Sequence, residues 1–100
     1  MTFLRSHLFI YGRVQGVFFR QSTYEMARHF NLTGYVRNRI NGTVEALFEG
    51  QEDLVKQMID WCNSGPSHAS VQGVEIVSSE IFTDSDFKKI YQSFSIESTL

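Results

Sequence analysis

The order in which two hydrophobic periods alternate along the chain constrains its fold most. Leu4, Ser6, Leu8 and Ile10 fall on one face of an extended segment, with Arg5, His7, Phe9 and Tyr11 on the other, which predicts a first strand over Leu4 to Tyr11. After Gly12 and Gly16, the residues Phe19, Thr23, Met26, Ala27 and Phe30 recur at helical spacing up to Asn31, with Gly34 as the expected stop. Tyr35 to Ile40 is a short β-prone run. Asn41-Gly42 then predicts a type I′ hairpin turn, which needs positive φ at both central residues, and Val44, Ala46 and Phe48 alternate after it until Gly50. Gln51, Glu52 and Asp53 open a second helical segment with acid where the helix dipole favours it, and Leu54, Val55, Met58, Ile59, Trp61 and Cys62 form its apolar stripe. Ser64-Gly65-Pro66 stops that helix. Val71, Val74, Ile76 and Val77 read as a further strand, residues 83–92 as an exposed loop or turn, and Phe94 and Ile96 as a last short strand.

The order β, α, β, β, α, β with a tail strand predicts an α+β fold, the ferredoxin-like split β-α-β sandwich. Its antiparallel sheet would have four to five strands, with two helices on one face. In this topology strands one and two run the same way with strand three between them, so residues near 12–20 and near 37–40 should meet at one sheet edge. Nine Phe, four Tyr and one Trp supply a single core, and one Pro and seven Gly leave no stretch resembling a linker, so residues 1–100 read as one domain.

Several classes of function are disfavoured by residue types alone. Cys62 is the only cysteine and the three His are scattered, which removes an internal disulfide and the usual structural zinc site. The apolar run Leu8 to Tyr11 is far shorter than a membrane span or signal core, and a reducing, cytoplasmic setting is expected. Charge is unevenly distributed. Residues 1–42 hold all six Arg against Glu25, a balance of +5, whereas residues 43–100 hold three Lys against ten acids, a balance of −7. A local anion site fits this pattern, because the Arg fork suits phosphate or carboxylate. A nucleic-acid track does not, because the acidic half of so small a domain would repel it. Pairing of each Arg with a surface acid is the competing reading.

Gly12-Arg13-Val14-Gln15-Gly16-Val17-Phe18-Phe19-Arg20 joins the first strand to the first helix. Its glycines permit a path in which successive backbone N–H groups point at an anion, and the positive end of the helix faces the same point. Arg20 lies in the first helical turn, a position unfavourable to a cation unless it meets an anion. From spacing alone, a plain strand-to-helix turn with a solvated Arg20 fits equally well. Asn38 sits at the end of strand two, where its amide could hold a water in a fixed direction, although a turn-adjacent Asn more commonly bonds local backbone.

Taken together, the two segments resemble the acylphosphatase family. Gly12 to Arg20 is similar to that family's first signature, and Gly34-Tyr35-Val36-Arg37-Asn38, followed by Gly42, Val44 and Gly50, to its second. Gly65-Pro66, Ala69, Val71 and Phe94-Ser95-Ile96 extend the likeness, which runs from about residue 4 to residue 97. The resemblance implies a small hydrolase of the carboxyl-phosphate bond of acyl phosphates, working without metal or other cofactor. Arg20 and Asn38 would then be catalytic, Arg20 binding the phosphoryl group and Asn38 orienting the attacking water. Arg13, Val14, Gln15, Gly16, Val17, Phe18, Phe19 and Arg20 would bind substrate. Inorganic phosphate would be product and competitive inhibitor, and a monomer with no nucleic-acid or membrane partner is expected. After Ile96 the chain departs from the family's frequent basic residue with Glu97-Ser98-Thr99-Leu100.

Two other readings compete. Phe9 and Tyr11, on the strand face away from the helices, could serve a binding module of the RNA-recognition type, which shares this topology. The acidic second half and the outward positions Thr43, Glu45 and Leu47 oppose that. An accessory domain that keeps such a site inside a larger protein is the other reading, and the length of one hundred residues weighs against it. His7, His29 and His68 are isolated, and Met58, Trp61 and Cys62 are expected in the core.

Overall fold

The computed structural model describes residues 1–100, with β1 (Thr2–Arg13), α1 (Phe19–His29), β2 (Thr33–Asn38), β3 (Val44–Gln51), α2 (Glu52–Ser64), β4 (Ser70–Thr83) and β5 (Phe94–Ile96) in chain order. One five-stranded sheet has the order β4-β1-β3-β2-β5. Both β1 and β2 pair antiparallel with β3, so they run the same way on either side of it, as the split β-α-β pattern requires. The sheet is mixed rather than antiparallel throughout, because β5 lies parallel to β2, from Gly34 opposite Phe94 to Val36 opposite Ile96. The route of the chain dictates this. β4 is antiparallel to β1 on one edge, and a segment that crosses to the other edge and turns back must run with β1 and β2.

Leu4, Leu8 and Ile10 of β1 and Val44, Ala46 and Phe48 of β3 face the helices, where they join Phe19, Ala27, Val55, Met58 and Cys62 in one buried core. Burial pushes the Cys62 thiol pKa up, which leaves it protonated and inert. No helix is long and apolar enough to cross a membrane.

Three local expectations change. The β2-β3 loop is Ile40-Asn41-Gly42, closed by Gly42 N donating to Arg39 O and Arg39 N to Thr43 O, and only Gly42 of the three has positive φ. That is a type I turn ending in a glycine bulge, not the two-residue type I′ turn. Asn41 keeps negative φ and accepts instead from Thr43 N and Oγ1. At the end of α1 the left-handed residue is Asn31, at φ 58°, while Gly34 lies inside β2, where a Cβ would overlap the Leu47 carbonyl. Gly50 likewise lies within β3 rather than at its end.

The segment after β4 is not simply an exposed loop. It crosses the sheet face opposite the helices, where the half-buried Phe87 stacks on Phe3 with ring centroids 4.6 Å apart and Tyr91 tilts against Tyr35 at 5.6 Å. Its anchor is Glu49, only 1% exposed, whose carboxylate accepts from Ile90 N, Tyr91 N, Arg5 Nε and Thr33 Oγ1. Acids alternating along a strand read as a solvated face, so Glu49 gave no sign of burial in the sequence. Burial favours its neutral form, but the hydrogen bonds from Tyr91, Thr33, Arg5 and Ile90 outweigh that and hold the carboxyl below the ordinary value of 4.5.

A depressed folded-state pKa gives stability that is present above pH 4.5 and lost as pH falls through the folded value. Glu49→Gln should therefore be less stable than the parent at neutral pH by about 3 kcal/mol. The gap should narrow as pH falls below 4.5 and through the folded value, where the parent carboxyl takes up its proton. Urea unfolding of both proteins at neutral pH and at a series of pH values below 4.5 measures it, and a gap independent of pH would contradict this account.

Candidate active site

β1 leaves the sheet at Arg13, and the chain reaches α1 through five residues whose side chains divide into two sets. Val14 and Val17 are buried, and the Phe19 ring is wedged against Trp61 at 5.6 Å, over Gly65, where a Cβ would come within 2.6 Å of it. These apolar side chains pin the loop to the core. Gly16 at φ 74° and Phe18 at φ 63° flank Val17, an alternation of backbone hand that turns successive N–H groups towards one point. No backbone N–H from Val14 to Phe18 donates a hydrogen bond inside the protein. The first turn of α1 adds its own free donors and carries neither an acidic residue nor a side-chain cap.

Opposite this cradle stands the end of β2. Val14, Gly16, Phe18, Phe19, Arg20, Gln21, Asn38 and Ile96 line a cleft of about 350 Å³ between the loop, the start of α1 and the β2-β5 edge. The sheet topology thus brings Arg20 and Asn38 together from segments eighteen residues apart. Arg5 and Arg37 pair with the buried Glu49 and Glu45, whereas Arg20, half-buried, has no ion pair and no hydrogen bond within the protein. Asn38 does not bond local backbone with its side chain. Its Oδ1 is buried without a protein partner, while its main-chain O is held by Leu100 N at 3.1 Å. The tail extends the β5 track along β2, with Glu97 N donating to Val36 O and Ile40 N to Leu100 O, and Glu97 itself accepts from Ser95 Oγ.

Other sequence candidates are placed differently. Gln15 does not line the cleft. Its amide donates to Arg39 O and Thr43 O, each at 2.8 Å, and so ties the loop to the β2-β3 hairpin. Val17 is core, and Arg13 is exposed at the strand end opposite Ser70. Gln21 and Ile96 join the lining without having been singled out in the sequence. Ile96 was recognisable only as a strand residue, since nothing local places β5 beside β2. His7 is engaged with Glu45 at 2.7 Å on the opposite sheet face, Arg39 lies over Phe9, and no group of three or more His, Cys, Asp or Glu side chains is placed to hold a metal ion.

Free N–H donors, an unpaired guanidinium and a buried amide acceptor surround one cleft of a ferredoxin-like α+β sandwich, the set of groups an anion site is built from. A family model described as Acylphosphatase matches residues 6–96. An acylphosphatase of Syntrophus aciditrophicus is 47% identical over 89 residues, which span 87% of this chain and 92% of that protein. Among solved structures, an acylphosphatase from Coxiella burnetii superposes with a TM-score of 0.80 at 32% identity, covering 95% of this chain and 93% of that one. Full-length HypF in its phosphate- and nucleotide-bound form matches with a TM-score of 0.76 and 26% identity, over 99% of this chain and 12% of HypF. The chain belongs to the acylphosphatase family.

The Gln15 tether generates a prediction. Gln15→Ala removes two neutral hydrogen bonds, so it should cost about 1–2 kcal/mol of stability. It should also weaken binding of inorganic phosphate several-fold by loosening the cradle against the hairpin. Thermal melts with calorimetric phosphate titration check both effects, and a variant unchanged in each would show the tether to be dispensable.

Proposed function

We infer that this acylphosphatase hydrolyses the carboxyl-phosphate bond of acyl phosphates through Arg20 and Asn38, giving a carboxylate and inorganic phosphate. The observation that carries this reading is the pairing of an unpartnered buried Asn38 Oδ1 with an unpaired Arg20 on one cleft. The loop N–H groups and Arg20 hold the phosphoryl oxygens, and because these donors are fixed by the buried Val14, Val17 and Phe19, they need little reorganisation as charge develops. Asn38 accepts a hydrogen bond from water and aims its oxygen at phosphorus, in line with the acyl oxygen.

The new bond forms between the water oxygen and phosphorus while the phosphorus–acyl oxygen bond breaks and its electron pair leaves on the carboxylate. A water proton passes to a phosphate oxygen. A carboxylate leaves readily, so a loose phosphoryl-transfer transition state needs positioning and charge stabilisation more than acid or base catalysis. No His or carboxylate lines the cleft to supply either. Inorganic phosphate, as product, occupies the same cradle and competes with substrate. We further propose that the protein acts as a cytoplasmic monomer on small molecules, without metal, nucleic-acid or membrane partners, and that residues 1–100 form one domain.

Three predictions test the assignment. Benzoyl phosphate should be hydrolysed and a simple phosphate monoester should not, with activity unaffected by EDTA. Equal turnover of both compounds, or loss with EDTA that a divalent ion restores, would remove this reading. Arg20→Ala should lower kcat by at least 10²-fold, on the order of the loss of one preorganised donor, and should abolish phosphate inhibition. Asn38→Ala should lower kcat severely while the phosphate inhibition constant and melting temperature stay near the parent's, because aiming a nucleophile contributes to the transition state and little to ground-state binding. A stable Asn38→Ala protein with normal turnover would exclude the water-positioning role.

A further inference from the structure

Only two residues other than glycine have positive φ in this chain, Asn31 and Phe18. Asn tolerates the left-handed region, but a bulky aromatic there is disfavoured, and glycine meets the same need at Gly16 two residues earlier. The backbone hand at position 18 is explained by the cradle, since alternation with Gly16 converges the N–H groups. The phenyl side chain is not explained by it. Nor is the Phe18 side chain itself packed in the core, since it is 77% exposed while its neighbour Phe19 is 1% exposed.

Phe18 lines the cleft that holds Arg20 and Asn38, together with Ile96, itself 40% exposed. A substrate has three parts to accommodate here. The phosphoryl group takes the N–H donors and Arg20, and the attacking water takes Asn38, which leaves these two apolar side chains for the acyl group. A cleft of about 350 Å³ admits an acyl group larger than acetyl. An aromatic ring held at a fixed backbone angle presents a flat apolar surface with little freedom to lose on binding.

We propose that Phe18 is a specificity-determining residue whose ring contacts the acyl group and selects aromatic or extended aliphatic acyl phosphates over acetyl phosphate. The proposal rests on the hydrolase reading above. The test is the ratio of kcat/KM for benzoyl phosphate to that for acetyl phosphate in the parent, Phe18→Gly and Phe18→Leu, with melting temperatures alongside. Glycine suits φ 63°, so Phe18→Gly should fold at least as stably as the parent. Its ratio should fall about tenfold, as for loss of an apolar contact in a binding site. Phe18→Leu keeps apolar area without a ring face and should fall between the two. A ratio unchanged in Phe18→Gly would overturn the proposal, as would a lower melting temperature with both substrates slowed equally, which would make Phe18 a buttress of the loop. Failure of the parent to hydrolyse either compound would overturn the hydrolase reading itself, an outcome distinct from an active parent whose preference ignores Phe18.

Discussion

Antiparallel pairing of β3 with both β1 and β2 is the constraint on which the rest of the molecule depends. Because β3 lies between them, β1 and β2 run the same way and their C-terminal ends emerge at one edge. The loop from β1 and the last residue of β2 face each other for that reason alone. β5 then pairs with the far side of β2, and the residues after it follow the same strand, so Asn38 is held through its main-chain O by Leu100 of the tail, while its neighbour Arg39 donates from its N to Thr43 O on the other side. An amide fixed at both flanks can keep one direction, which is what aiming a small nucleophile requires.

The two faces of the sheet handle charge in opposite ways. On the face away from the helices, Glu45 accepts from His7 Nε2 and Tyr35 Oη, with Arg37 Nε at 3.7 Å, while Glu49 accepts from Arg5, Thr33 and the crossing segment. Burial raises the Glu45 pKa, but its hydrogen bonds to His7 and Tyr35 prevail and keep it below the ordinary range. The same network raises the Tyr35 hydroxyl, first through burial and then through Glu45. On the helix face near α1, Arg20 has no acid beside it. A cation whose fork is unspent on structure remains available to an incoming anion, and the paired Arg5 and Arg37 are not.

Rigidity of the loop comes from side chains that never touch the cleft or touch it only in part. Val17 and the Gln15 amide fix its inner side to core and hairpin, and Phe19 locks its exit against Trp61. The cost of holding several N–H groups unpaired and Phe18 in the left-handed region is thus offset by the burial of Val14, Val17 and Phe19 around them.

The order of elements was legible from periodicity because each strand and helix carries its own face pattern, as Leu4-Ser6-Leu8-Ile10 and the Leu54 to Cys62 stripe show. The candidate residues Arg20 and Asn38 were legible from local motifs, although residue types alone left a solvated Arg equally open and made a backbone-bonded Asn the commoner role. Only the tertiary structure decided the rest. Whether an Arg is spent depends on which acid the sheet register sets opposite it, so Arg5 meets Glu49 and Arg37 meets Glu45 through β3, while Arg20 meets none. The turn at Ile40-Asn41-Gly42 was decided by the register of β2 on β3, which needs three loop residues where the Asn-Gly pair by itself favours two. The Glu49 anchor, the parallel β5 and Ile96 in the cleft join residues forty or more positions apart, and no window of the sequence contains both partners of such a contact.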